Sequence, residues 1–282
     1  MSCNFKDKVA VITGAGGTLC SAISIDLAKK GAKTVLIGRT EEKLLKTAKE
    51  IEKFGGTYLI KTGSVTDEAR MEEIGAEVME TFGPCNFLIN GAGGNQGLAM
   101  TTNTEFDPIE LTEEKPEDMR GFFDLNMDIY EDVIKINTVG TVICCRVFGK
   151  QMAKNGGGAI LNFASMNTYC PLTRVPAYAM SKAAIENYTK WSANYLAPAG
   201  IRVNAIAPGF FVNERSKTFL GTVEDGLTKR GESVINHTSM KRFGVASDLL
   251  GCASWLLDDE ASGFVTGITV PVDGGFLTKS GV

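Results

Sequence analysis

Val9-Ala10-Val11-Ile12-Thr13 runs directly into Gly14-Ala15-Gly16-Gly17-Thr18-Leu19, and the chain then reads as a helix to about Lys30. The apolar, β-branched run is a strand buried on both faces, the glycines are a tight turn, and the helix starts where the turn ends. Such a turn presents bare amides at the positive end of a helix dipole. Glycine lets a ligand approach without a Cβ in the way, so the segment suits a pyrophosphate. The same residues also fit a tight turn that holds no ligand, because Leu19 stands where G-x-G-x-x-G would place its third glycine.

Six further runs read as strands: Thr34 to Gly38, Thr57 to Ile60, Phe87 to Asn90, Ala159 to Phe163, Ile201 to Ile206 and Ile268 to Val270. Helix-length amphipathic stretches separate most of them. Parallel neighbours need a long return connection, so the pattern predicts one α/β domain over 1–282. It would be a doubly wound sheet of seven parallel strands flanked by helices, with ligands at the strands' carboxyl ends. Residues 94–132 stand apart as a polar, acidic stretch without a strand pattern, running from Gly94 through Pro108 and Pro116 to Asp132. A connection that long is either a lid over a substrate site or a solvated excursion.

The 282 residues are 44% hydrophobic and 22% charged, an ordinary globular composition with room for a large core. Lys plus Arg is 29 against 33 for Asp plus Glu, a formal charge of -4 without a basic block, which argues against nucleic-acid binding. No apolar run approaches the roughly 18 residues of a membrane span, and Met1 to Lys8 carries no secretory apolar stretch. The expectation is a soluble, cytoplasmic chain. Seven cysteines without a C-x-x-C suit reduced, buried thiols, and the single histidine, His237, has no partner at ligand spacing for a metal site.

The second strand ends in Gly38-Arg39-Thr40, where an acidic residue would bond the ribose 2′-hydroxyl of NAD. Arg39 can instead clasp a 2′-phosphate, which favours NADP(H) over NAD(H), although beside Glu41 and Glu42 it also fits a solvated turn.

Tyr178 and Lys182 lie four apart in a segment of helix formers that continues to about Leu196, so both project from one face. A tyrosine has an ordinary pKa of about 10, and acid–base work near neutrality asks for roughly three units less, about 4 kcal/mol. One nearby cation supplies one to three units, so Lys182 is expected to depress the phenol with help from an oxidised nicotinamide. Ser165, thirteen residues before Tyr178, follows the strand ending at Phe163 and stands at the ligand edge. Asn137 falls within a predicted helix from about Ile129 to Lys150, where an amide needs a reason such as holding a water that relays protons to Lys182.

Together these residues resemble the short-chain dehydrogenase/reductase family over nearly the whole sequence. The similarity is carried by Thr13-Gly14 with its turn, Asn90-Gly91-Ala92-Gly93, Asn137, Ser165, Tyr178 with Lys182, Arg202 to Gly209, and Val272-Asp273-Gly274-Gly275. The resemblance implies a Rossmann-like fold and hydride transfer from NAD(P)H. It also implies that Tyr178 is the general acid, that Ser165 holds the carbonyl, that Lys182 binds the nicotinamide ribose, and that Asn137 completes a proton relay. The cofactor would lie along Gly14, Gly16, Gly17, Thr18, Leu19, Arg39, Ser64, Val65, Asn90, Gly91, Ala92, Tyr178, Lys182, Pro208, Gly209 and Phe211, in a homotetramer or homodimer. Thr18 and Cys20 replace the last two glycines of the family's turn, Ser64 replaces an aspartate, and Asn213 stands near where a threonine is common.

Within the family, Gly91 to Asn95, the long segment before Asn137, Ser165-Met166-Asn167, Pro171-Leu172-Thr173, Asp273 to Phe276 and Ser280-Gly281-Val282 are similar to the D-mannonate oxidoreductases of the short-chain type, also called fructuronate reductases. That resemblance implies a sugar-acid substrate enclosed by the insert. Arg174 is the candidate partner for its carboxylate, Asn95 and Asn167 for its hydroxyls, with Arg215 and Lys217 as second choices. Two other readings stay open: a polyol or secondary-alcohol dehydrogenase with a neutral substrate, and a non-catalytic nucleotide sensor suggested by the lost glycines.

Overall fold

Aliphatic runs without polar alternation can be strands only where helices cover both faces of the sheet, and the sequence supplies those helices between the runs. The structure, a computed structural model, describes residues 4–222 and 225–279, the side chains of 214 and 215 excepted. The order of elements is β1 (Val9–Thr13), α1 (Thr18–Lys29), β2 (Lys33–Gly38), α2 (Glu41–Glu52), β3 (Tyr58–Thr62), α3 (Glu68–Phe82) and β4 (Phe87–Asn90). Then come α4 (Met127–Asn137), α5 (Val139–Lys154), β5 (Gly158–Phe163), α6 (Pro176–Leu196), β6 (Ile201–Pro208) and α7 (Glu214–Leu220). The fold continues through β7 (Gly221–Thr222), β8 (Gly226–Leu227), α8 (Lys229–His237), α9 (Leu250–Leu257), α10 (Asp259–Ser262) and β9 (Thr269–Val272).

Seven strands form one parallel sheet in the order β3-β2-β1-β4-β5-β6-β9, and β7 with β8 makes a small antiparallel hairpin. Strand order reverses between β1 and β4, where Thr13 pairs with Asn90, and ligands of such sheets bind at this crevice. Alternate residues feed two cores: Ile12, Leu36, Ile89, Leu161 and Ile206 on one face, Val11, Ile37, Leu88, Ile160 and Val203 on the other. Each fully buried aliphatic group stabilises the sheet by ~1.5–3 kcal/mol, which holds the strand ends in fixed register for the site. No helix of the described residues is long and apolar enough to cross a membrane.

The strands fall where the sequence puts them, with ends shifted by up to two residues; the last is Thr269–Val272 rather than Ile268–Val270. The predicted helix from Ile129 to Lys150 is two helices broken at Thr138, so Asn137 closes α4 instead of sitting inside a helix. Its Nδ2 donates to the Val133 carbonyl at 2.7 Å and the Gly94 carbonyl at 2.8 Å, and this local bonding competes with the helix ladder. The irregular insert also ends earlier than expected, because Asn126 caps α4 through Ile129 N at 2.9 Å. Short 3₁₀ turns at Gly97–Ala99, Pro108–Leu111 and Phe122–Asp124 order it instead of strands.

Candidate active site

The nucleotide half begins at Thr13, whose hydroxyl accepts from Gly91 N and Ala92 N at 3.1 Å each. This cross-strand clamp draws the turn after β4 onto the turn after β1. Gly14 stands at φ +68°, and a Cβ there would lie 2.7 Å from the Gly91 carbonyl oxygen, so both conformation and space require glycine. Gly17 caps α1 with no side-chain acceptor and the first turn holds no acid, leaving the amides of Thr18 and Leu19 suited to an anion. Thr18 is exposed, so its hydroxyl and methyl groups push no packed backbone aside. Cys20 is buried with its Sγ against Gly91, where an added Cβ would be only 2.0 Å away, and burial pushes the thiol up to about 12.

Arg39, Ser64, Thr66, Gly93, Gly94, Asn95 and Ile136 line a cavity of about 360 Å³ at the carboxyl ends of β2, β3 and β4. Ser64 and Thr66 share a hydroxyl bond of 2.8 Å, while Val65 turns inward against Gly140. Asn95 lines the same cavity as Arg39. Asn90 lies beneath the turn: its Nδ2 donates to Asn162 Oδ1 at 2.9 Å and Cys145 Sγ at 3.2 Å. The bare first-turn amides and this polar cavity fit the pyrophosphate and ribose of a nicotinamide dinucleotide.

The reacting groups gather at the end of β5. Ser165 and Asn167 are buried, and the Asn167 amide donates to Ser165 Oγ at 3.3 Å while its Oδ1 accepts from Leu172 N at 2.9 Å. In this arrangement Asn167 aims the serine. Lys182 is buried, its Nζ donating to the Phe163 carbonyl at 2.6 Å and standing 5.5 Å from the centre of the Tyr178 ring. Removal from water lowers the lysine from 10.5 to about 8, against a small opposing effect of Cys20.

The phenol departs from expectation. Burial pushes Tyr178 above its ordinary value, only its hydrogen bond with Ser165 acts downward, and Lys182 makes no resolved contribution. Dehydration of a phenolate outweighs a cation already committed to a carbonyl. Asn137 likewise spends its amide on structure, with Oδ1 accepting from Gly94 N at 3.0 Å. Gly93 must be glycine beside it, since a Cβ would fall 2.3 Å from that oxygen.

Pro208 ends β6 opposite Val272, Gly209 packs on Asp273, and Phe211 lines a separate cavity of about 370 Å³ with Met240 and Arg242. Arg174 precedes α6, and its carbonyl accepts from Thr101 N of the insert at 3.1 Å. Lys217 lies on α7, whereas the Arg215 side chain and Ser280, Gly281 and Val282 lie outside the described residues. Sequence reasoning singled out Asn90 and Cys20 but missed the partners that hold them: Asn162, whose amide joins Asn90 to Thr189, and Gly91, against which Cys20 packs. Nothing in the local pattern marks Asn162 or Thr189.

A doubly wound sheet with an anion-accepting turn at its switch point and a Ser–Tyr–Lys group at the next strand end defines a dinucleotide-dependent oxidoreductase. The chain belongs to the short-chain dehydrogenase family, whose model matches residues 8–220. It is 44% identical over 279 residues to the uncharacterized oxidoreductase UxuB of Bacillus subtilis (strain 168), covering 99% of this chain and 98% of that one. Another Bacillus subtilis relative, 2-dehydro-3-deoxy-D-gluconate 5-dehydrogenase, is 30% identical over 276 residues, 98% of this chain and 97% of its own. The fold matches, at TM-score 0.92 and 40% identity, a crystal structure with bound NAD from Haemophilus influenza, provisionally assigned as a D-mannonate oxidoreductase; the match covers 99% of this chain and 98% of that one.

Proposed function

We propose that the protein reduces the ketone of an acyclic ketouronate, D-fructuronate, to D-mannonate, reversibly, with NADP(H) preferred over NAD(H). The observation that carries this reading is the gathering of Ser165, Tyr178 and Lys182 at the end of β5, with Ser165 and Lys182 buried and Lys182 Nζ 5.5 Å from the centre of the Tyr178 ring; Arg174, four residues before Tyr178, has a buried Nε without a partner. Bound nicotinamide would supply the hydride for the carbonyl carbon. Ser165, aimed by Asn167, holds the carbonyl oxygen, and Tyr178 donates its proton to that oxygen, giving the alcohol. A phenol held above its ordinary value stays protonated through the neutral range, the state reduction requires. Lys182 binds the nicotinamide ribose, and Asn137 pins Gly94 where the insert begins, beside a relay to Lys182.

The insert encloses the hydroxylated substrate, its Ala99 packing in one cluster with Val133, Ala177 and Tyr178. Arg39 supports the NADP(H) preference, while the relative with bound NAD makes NADH the comparison to run. A cytoplasmic homotetramer or homodimer follows from the family resemblance, and six free cysteines among the described residues suit a reducing compartment. The test follows oxidation of NADPH and NADH with D-fructuronate, D-fructose and a 3-ketoacyl thioester. D-fructuronate should be reduced fastest and with NADPH. Reduction of only the neutral ketose or the thioester would overturn the substrate, and parity or preference for NADH would overturn the role of Arg39.

A further inference from the structure

Cys20 and Gly91 meet across the crevice where the strand order reverses. Cys20 is the third residue of α1 and is buried in one core cluster with Ala15 and Ile23. It follows directly on Thr18 and Leu19, whose amides suit an anion. Gly91 opens the turn after β4, and its amide, with that of Ala92, donates to the Thr13 hydroxyl at 3.1 Å. Both segments border the place of the dinucleotide, so the gap between them sets the width of the cofactor seat.

A Cβ added to Gly91 would meet Cys20 Sγ at 2.0 Å, the Thr13 carbonyl oxygen at 3.1 Å and Cys20 Cβ at 3.6 Å. The first distance lies far inside van der Waals contact, and the last is an ordinary contact. The backbone of Gly91 is not left-handed, so conformation does not call for glycine here as it does at Gly14. Space does, and nearly all of the missing space belongs to the thiol. That thiol turns about a single bond with two common settings in a helix, inside a close-packed core, so relief of a clash falls on the two backbones. Two residues on, a Cβ added to Gly93 would lie 2.3 Å from Asn137 Oδ1 and 3.9 Å from Lys182 Nζ, so a shift of this turn passes to the groups around the ammonium. The charge of Lys182 reaches the Cys20 thiol as well, pulling against the rise that burial causes.

We propose that Cys20 is a positioning residue for the dinucleotide and acts as a pair with Gly91: the thiol occupies the space of the Cβ that the β4 turn lacks, and its bulk fixes how far the first turn of α1 stands from that turn. The proposal rests on the reading of this crevice as a nicotinamide dinucleotide site and on no particular substrate. The thiol at a glycine position of the turn is then a matched exchange, with the room it takes given back at Gly91, and not the decay of a cofactor site.

The test measures dissociation constants for NADPH and NADH by fluorescence titration, and melting temperatures of the free protein, for wild type, Gly91→Ala, Cys20→Ala and the double variant. Gly91→Ala should weaken the nucleotide about 10- to 100-fold, because the two backbones must part to admit the new atom. Cys20→Ala adds no atom and removes the spacer, so affinity should fall by about threefold. In the double variant the two Cβ atoms meet at the ordinary 3.6 Å, and only the 3.1 Å approach to Thr13 asks for a small shift. Its affinity should return to within about fivefold of wild type, a coupling of opposite sign to simple accumulation of damage. Unchanged affinity in either single variant, as when the thiol swings aside, would overturn the pair. So would a double variant that binds as weakly as Gly91→Ala, or melting temperatures that fall while the folded variants bind nucleotide as wild type does. If Gly91→Ala does not fold alone, a double variant that folds and binds supports the pair, and one that does not overturns it. Wild type that binds neither nucleotide removes the cofactor reading and the pair together. Wild type that binds, with variants that show no coupling, leaves the cofactor reading standing and removes the pair.

Discussion

Gly14 and Arg174 both lie at the carboxyl edge of the sheet and both have left-handed backbones, at φ +68° and +74°, yet they hold that conformation for opposite reasons. At Gly14 the turn after β1 presses against the turn after β4, and the absent Cβ makes the shape free of strain while exposing amides to a phosphate. At Arg174 the loop after β5 accepts strain of about 1–3 kcal/mol and gains a guanidinium aimed from a fixed point. The turn after β1 is thus shaped by backbone alone, and the loop after β5 by the charged side chain it carries.

The difference has consequences that experiment can break. The largest falls on the reacting groups both sides serve. Tyr178→Phe should cost about 10³-fold in kcat while cofactor affinity falls far less, as measured by steady-state kinetics and nucleotide titration. A nucleotide sensor would show no turnover to lose. Next, the two left-handed positions should respond with opposite sign in thermal unfolding. Gly14→Ala should destabilise by about 2–3 kcal/mol and weaken the cofactor, because its Cβ has no room. Arg174→Gly should keep or raise the melting temperature while KM for D-fructuronate rises about 10- to 100-fold. Loss of stability in both variants would erase the contrast.

A smaller effect belongs to Arg39. Arg39→Ala should lower the ratio of NADPH to NADH efficiency by about tenfold, and an unchanged ratio would make that residue a solvated turn. The smallest is a pH limb. Lys182 is lowered to about 8, so its ammonium is lost above that pH, and kcat/KM for reduction should fall about tenfold per unit beyond it. Between about 8 and its ordinary 10.5 the folded protein binds fewer protons than the unfolded one, so Lys182 makes folding more favourable as pH rises through that window. A flat activity profile to pH 10 would show that the ammonium is dispensable.

The strands were legible because burial on both faces leaves no polar alternation, and the Tyr178–Lys182 pair because one helical turn brings them to one face. Other features depend on contacts that local pattern does not carry. The break at Thr138 arises from an amide bonding Gly94, 43 residues away, and no period in the helix announces it. The behaviour of Tyr178 eluded spacing for a different reason: spacing counts the nearby cation but not the water lost on burial or the carbonyl that already holds the ammonium.

The most direct test of the account is isotopic. Purified protein is given D-fructuronate and NADPH carrying deuterium on the transferable position, and the product is analysed by mass spectrometry. The account expects D-mannonate with one deuterium on the new carbinol carbon, formed about 10³-fold more slowly by Tyr178→Phe. Unlabelled product, label elsewhere, or no D-mannonate from a folded, cofactor-binding protein would contradict it.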